Sequence, residues 1–291
     1  MKKPQAFGGL WTEDKLNRLN KYLKAYTRIF KGNPNARYLT TVYVDAFAGT
    51  GRIETASRTT EALTNTNSLK GSAQIALEVW PEFDHYLFIE RNKKHYNELL
   101  NLKAEYPLQS HKIQVENAEA NDYLKQWCET TDWSRTRAVM FLDPFGMQVE
   151  WSLLEKIAET HAIDVWFLFP IGVGVNRHLT RSEPPPEDWA DRLTRVFGTS
   201  EWRTEFYPAK SILTLFGDVA SQAKDTDFAR MSDYFVKRLN TVFTGVAANP
   251  LLLKTPKKNV PLFLLCFATG SNKESAKNAA LKIAEDILGR S

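Results

Sequence analysis

Four short stretches end in residue types that a chemical site would need. VYVDAFAGTGR runs from an apolar segment into Asp45, Phe47, Gly49, Gly51 and Arg52. HYLFIE ends at Glu90, HKIQVEN ends at Asn117, and AVMFLDPFG delivers Asp143, Pro144 and Phe145 directly after an apolar run. Two glycines let a backbone turn sharply and approach a ligand closely, and Asp45 could bond nearby amides or a ligand ammonium. Phe47 stands where the dinucleotide fingerprint has its first glycine, and the third glycine is missing. Glu90 is placed to accept from both hydroxyls of a ribose, and the Asn117 amide to reach an adenine edge. A ribose, an adenine and a charged tail describe S-adenosylmethionine as well as a nicotinamide dinucleotide. DPFG separates them, because an aromatic amine is a poor nucleophile. It gains from a carboxylate at Asp143 and a backbone carbonyl of the turn, which orient its lone pair. Pro144 fixes that turn, and Phe145 offers a face for a base to stack on. The expected chemistry is methyl transfer to an exocyclic amine, with positioning of two reactants as the main gain.

Each residue also has a plainer use. Asp-Pro is a common exit from a strand, Asp45 could cap a turn, Glu90 could pair with Lys93 or Lys94, and Asn117 could be a turn residue. The functional reading rests on all of them falling at consecutive strand ends beside one glycine loop.

The elements that must position them alternate. TEDKLNRLNKYLKAYTRIF (12–30) puts Leu16, Leu19, Leu23, Tyr26 and Phe30 on one face, with Thr12 able to cap it and Gly32-Asn33-Pro34 to stop it. LTTVYVDAF, HYLFIE, HKIQVE, AVMFLD and IDVWFLF read as strands, separated by helical patterns at 72–80, 92–104, 118–128 and 152–160. This alternation predicts a Rossmann-like, mostly parallel, doubly wound α/β sheet whose ligand site lies at the carboxyl ends of the strands. PLLLK and PLFLLCFA predict a C-terminal antiparallel hairpin about the basic turn KTPKKN, followed by a helix at 273–288. Residues 172–248 break the rhythm and are expected to form a helical insertion, leaving 1–171 and 249–291 as the α/β domain. The polar segment 53–71 delays the helix that ordinarily follows such a glycine loop.

Composition narrows the class. With 291 residues, 43% hydrophobic and 12% aromatic, the chain can bury a full core. IDVWFLFPIGVGV is too short to span a bilayer and MKKPQAFGGL has no apolar signal segment, so a cytoplasmic location is expected, with no membrane partner. Cys128 and Cys266 read as reduced core thiols, and the histidines lack metal-ligand spacing, so no metal is expected. A net charge of +4 permits a polyanionic partner without requiring one.

DAFAGTG followed by LDPFG resembles the class I S-adenosylmethionine-dependent methyltransferases, and LDPFG is similar to the fourth motif of tRNA guanine-N2 dimethyltransferases. GGLWTEDKLNRLNKYLKAYTRIF, YVDAFAGTGR, GSAQIALEV, FIE and LDPFG together resemble the three-Cys-motif partner proteins. That resemblance implies a methyltransferase fold, a bacterial or phage origin, and a protein partner with a three-cysteine motif of iron-sulfur type. It puts Asp45, Gly49 and Gly51 on the cofactor loop, Glu90 on the ribose position, and Asp143, Pro144 and Phe145 on the target-amine position. DPFG carries one proline where adenine-N6 enzymes carry two, so the motif does not name adenine. The order of motifs places 172–248 where a target-recognition region would lie, and Arg52, Arg177, His178 and Arg181 are candidates for phosphate contacts on RNA or DNA. Two other readings stay open: a methyltransferase-fold binding subunit without transfer activity, and a methyltransferase for a protein or small-molecule amine.

Overall fold

The computed structural model describes residues 10–53, 69–214, 217–256 and 258–289. Helix α1 (Leu10–Gly32) precedes β1 (Thr40–Asp45). After the glycine turn come β2 (Arg52–Ile53), β3 (Leu69–Lys70), α2 (Ser72–Leu77), β4 (His85–Ile89), α3 (Lys93–Ala104), β5 (Ile113–Glu116) and α4 (Ala120–Thr130). Then follow β6 (Thr136–Leu142), α5 (Trp151–Glu159) and β7 (Ile163–Phe169). A π turn at Ile171–Val175 leads into α6 (Asn176–His178), α7 (Glu187–Phe197), α8 (Trp202–Phe206), β8 (Lys210–Thr214), β9 (Gly217–Ser221) and α9 (Phe228–Leu239). The chain ends with β10 (Gly245–Val246), β11 (Leu251–Lys254), β12 (Pro261–Thr269) and α10 (Glu274–Gly289).

The main sheet runs β5-β4-β1-β6-β7-β12-β10, with β11 beside β10 on the same edge of β12. Strands β5, β4, β1, β6 and β7 are parallel, whereas β12 is antiparallel to β7 and to both β10 and β11. The expected Rossmann-like α/β class with its C-terminal antiparallel hairpin is the observed one. Chain direction across the sheet reverses at β1, whose neighbours β4 and β6 lead to opposite edges. A crevice therefore opens at the carboxyl end of β1.

Alternation along the strands feeds two helix layers. Val42, Val44 and Ala46 face the layer of α4, α5, α7 and α9, while Tyr43, Phe88, Phe141 and Trp166 face α1, α2, α3 and α10. Residues 172–248 belong to the first layer: Leu193 and Phe197 of α7 and Met231 and Phe235 of α9 are buried with Phe167 and Phe169 in one core. Phe235 stacks on Phe169 with ring centroids 3.6 Å apart. The block is not purely helical, because it also holds the β8–β9 hairpin and ends in a strand of the main sheet.

Local signals explain the helix boundaries. The Asn92 side chain accepts from the Lys94 and His95 amides and starts α3, and Glu119 accepts from the Asp122 amide and starts α4. Arg18, buried on α1, pairs with Asp14 at 2.9 Å and donates to the carbonyls of Ile287 and Leu288, latching α1 to the end of α10. That latch ties the helix bearing Lys15 to the last helix of the chain.

Candidate functional site at the carboxyl ends of the strands

The glycine turn begins where β1 stops at Asp45. The Ala46 amide donates to Phe141 O and the Ala48 amide to Ile89 O, so the turn is tied to both neighbouring strands. Gly49 and Gly51 adopt left-handed φ values of 59° and 73°. At Gly51 a Cβ atom would lie 2.6 Å from Leu102 Cδ2, whereas at Gly49 it would meet open space. One glycine is thus needed for packing and the other leaves room for a ligand. Glu90 accepts from the Gly49 amide at 3.0 Å and from the Asn92 amide at 2.6 Å, which pins the turn to the end of β4.

Two recesses meet here. The larger, of about 980 Å³, is bounded by Phe47, Gly49, Glu90, Asn121, Asp143 and Phe145. The smaller, of about 190 Å³, lies under the first turn of α1 and is bounded by Trp11, Lys15, Gly49, Gly51, Ser72 and Asp143. Phe47, Gly49 and Asp143 border both, so the acidic turn after β6 stands at their junction. Pro144 is buried and Phe145 is 78% exposed at the rim, its amide held by Gln148 Oε1 at 3.0 Å.

Asn117 does not border either recess. Its side-chain amide donates to the carbonyls of Glu90 and Arg91 at 2.8 and 2.9 Å, cross-linking the ends of β4 and β5. The wall at that point is made by Ala118 to Asp122. Asn121, which the sequence did not single out, is buried there. It donates to Gln148 O and accepts from the Glu150 amide, both at 2.9 Å, and so holds the far end of the DPFG turn. Two acids of this wall have partners within the protein: Glu119 with the Asp122 amide and Asn121, and Glu150 with Lys125 at 2.8 Å.

Lys15 is the other residue that sequence reasoning missed. It is only 6% exposed, and its ammonium is paired with Asp143 Oδ2. The ammonium lies 5.3 Å from the Trp11 ring centre and 5.9 Å from that of Phe141, so aromatic faces flank a charge already matched by a carboxylate. Its position was signalled by spacing: Trp11, Lys15 and Leu19 succeed each other at i, i+4, which puts a lysine on the buried face of α1.

Asp45 lies beneath the glycine turn, fully buried. Its Oδ2 accepts from the Tyr43 hydroxyl at 3.4 Å, and its Oδ1 has no hydrogen-bond partner. Burial pushes its carboxyl up to about 7, and the nearby charge of Asp143 adds to this. Ser72, the Phe47 amide and Lys15 pull the other way without prevailing. Between the ordinary 3.8 and about 7 the folded chain holds a proton that the unfolded chain has lost. Stability from this group is therefore full below the lower value and is lost as pH rises to the upper one. Asp45→Asn should remove that slope, gaining up to roughly 4 kcal/mol over the native chain at pH 8. Urea unfolding across a pH series measures it, and identical slopes for both proteins would refute the assignment.

The basic candidates lie apart. Arg52 borders the smaller recess and pairs with Glu105. Arg177, His178 and Arg181 border neither recess; the first and last are exposed, and His178 Nδ1 is 2.9 Å from Gly174 O with its ring against Trp189. Lys224 joins them: its ammonium donates to Asn176 Oδ1 at 2.6 Å and its amide to Arg181 O. Burial, and then the charge of Arg181, lower its pKa. Arg195, on α7, reaches the larger recess. Among the described residues no group of His, Cys, Asp and Glu could hold a metal ion, and no helix is long and apolar enough to cross a membrane.

Comparison with known proteins places the fold. No protein-family model and no curated protein matches the chain, so the resemblance to the three-Cys-motif partner proteins rests on the motifs alone. Among solved structures, protein LPL1258 from Legionella pneumophila is similar over 97% of this chain and 92% of its own, with 12% identity and a TM-score of 0.54. The fold is Rossmann-like. Weaker similarity extends to the N-terminal domain of EvdMO1, solved with S-adenosylhomocysteine and D-fucose (12% identity, 88% and 83% of the two chains, TM-score 0.36). It also extends to the magnesium protoporphyrin IX methyltransferase of Synechocystis, solved with S-adenosylhomocysteine (9% identity, 90% and 89%, TM-score 0.36).

Proposed function

We propose that this protein is an S-adenosylmethionine-dependent methyltransferase acting on an exocyclic base amine in RNA or DNA. The observation that carries this reading is the junction at Asp143, where the recess holding Glu90 and the recess beneath the glycine turn meet. The residues fit the cofactor. Gly49 leaves open space above the turn, and Glu90 at the end of β4 would take the ribose position; Asp45, buried beneath the loop and bordering neither recess, would act on the turn rather than touch the cofactor. When bound, the cofactor supplies an electrophilic methyl group on a sulfonium. The protein contributes orientation: Asp143 accepts an N–H of the acceptor, Pro144 holds the turn rigid, and Phe145 offers an exposed ring at the rim.

A nucleic-acid acceptor is supported by the cations of the block that follows β7. Arg177 in the short α6 and Arg181 and Lys224 on the segments beside it have no acidic partner among the described residues, an arrangement that suits phosphate oxygens. The motif resemblance adds a three-cysteine partner protein to the same reading.

The test has two parts. Calorimetry should show S-adenosylhomocysteine binding that weakens by at least about tenfold in Glu90→Gln, which loses a charged acceptor for two amides. Labelled methyl from S-adenosylmethionine should enter RNA or DNA in preference to protein. No binding at all would end the methyltransferase reading, and label confined to protein would end the nucleic-acid one.

A further inference from the structure

We infer that Lys15 sets the charge class of the acceptor. By occupying Asp143 with a built-in ammonium, it reserves the site for an uncharged amine and excludes alkylammonium groups such as those of lysine side chains and polyamines. The inference rests on the methyltransferase reading, in which Asp143 faces the acceptor.

Position gives the first reason. A carboxylate that is to receive a cationic amine must offer its charge unmatched, whereas Asp143 is already paired through Oδ2 with a lysine that is 6% exposed. That lysine is not a surface side chain free to swing aside: the rings of Trp11 and Phe141 flank its ammonium, and the latch of Arg18 on α10 holds the helix that bears it. Charge gives the second. A further cation brought beside Asp143 would meet Lys15 across a few ångströms of poorly solvated space, where like charges repel far more strongly than in water. The remaining buried carboxyl close by, Asp45, is pushed up to about 7 by burial, so at neutral pH it offers only part of a compensating charge.

A neutral amine meets none of this. The Asp143 side chain keeps 25% of its surface exposed at the junction of the two recesses, and Lys15 donates to Oδ2 rather than Oδ1. It can accept one N–H of a weakly basic aromatic amine, the form in which exocyclic base amines exist at neutral pH. Of the other acids of the larger recess, Glu90 and Glu119 are bonded to backbone amides and Glu150 to Lys125, which leaves Asp122 as an exposed carboxylate that changes at Lys15 and Asp143 do not alter. Lys15 is therefore a positioning and specificity residue, acting on the acceptor through Asp143.

The experiment compares the native chain with Lys15→Met, Lys15→Gln and the double variant Lys15→Met/Asp143→Asn, using spermidine as the cationic probe and cytidine as the neutral one. Binding is read by calorimetry with and without S-adenosylhomocysteine. The native protein should bind cytidine and not spermidine. Each single variant should bind spermidine at least about tenfold more tightly than the native chain does, and the double variant should lose that gain. Equal spermidine binding by native and Lys15 variants overturns the inference, as does a gain that survives removal of the Asp143 charge. The glutamine variant keeps more of the buried polar volume and serves if methionine impairs folding. Failure of S-adenosylhomocysteine to bind would overturn the methyltransferase reading, and the arm without it would still decide what Lys15 excludes.

Discussion

Asp143→Ala is expected to cut methyl transfer by about 100- to 1,000-fold, the range seen when an oriented polar group is removed from a reaction centre, while S-adenosylhomocysteine binds nearly as before. The difficulty in reading such a variant is Lys15. Removing the carboxylate strands a buried ammonium, and breaking an ion pair of this kind costs about 3–5 kcal/mol when it is fully buried, less here because Asp143 is partly exposed. A drop in activity could then reflect a loosened α1 rather than lost chemistry. The double variant Asp143→Ala/Lys15→Met separates the two, because it removes the stranded charge. It should recover most of the lost melting temperature and none of the activity. Recovery of both would make Asp143 a structural residue.

Gly51→Val should be the most damaging change in the glycine turn. The position combines φ of 73° with a Cβ site 2.6 Å from Leu102 Cδ2 and 3.1 Å from Leu99 Cδ2. A β-branched residue in the left-handed region is strained, and both leucines belong to the packed face of α3, so the combined cost is roughly 2–6 kcal/mol. The turn, its hydrogen bond to Ala48 O and the floor of the smaller recess move together, and cofactor binding should vanish. Gly49→Ala is the control. With open space at that Cβ it bears only the left-handed penalty of about 1–2 kcal/mol, and it should stay folded. A Gly51→Val protein with native melting temperature and S-adenosylhomocysteine affinity would remove the turn from the site.

Much of this was legible in the sequence. Five strand patterns ending at Asp45, Glu90, Asn117, Asp143 and Pro170 announced a sheet with its chemistry at one end, and AVMFL and VWFLF read as the near-continuous apolar segments that strands buried on both faces require. Apolar spacing is local, so helix starts fell within a residue or two, although Thr12, expected to cap α1, lies inside a helix that already runs from Leu10. What escaped was long-range or weakly patterned. Asn117 sits at a strand end as expected, but its amide found two backbone carbonyls of the neighbouring strand, and no local signal foretells that competition. Strand β10 is two residues long, and β8–β9 lies in a stretch already read as helical insertion, so neither offered a usable period. Lys15 was in plain view as a charge on an apolar face. Only its partner, 128 positions away, gave it meaning.

The latch between Arg18 and the carbonyls of Ile287 and Leu288 has a consequence for biogenesis. A nascent chain can lay down β1, the glycine turn and DPFG as they leave the ribosome and seat α1 on them through Tyr22 on Asp164 and Lys31 on Asp84, yet that helix gains its Arg18 tie only when α10 has been made, 270 positions later. This tie is therefore made last, by two of the most distant segments of the chain closing on each other. Translation that stops before α10 would yield a sheet with its strand ends in order and an α1 without its C-terminal brace.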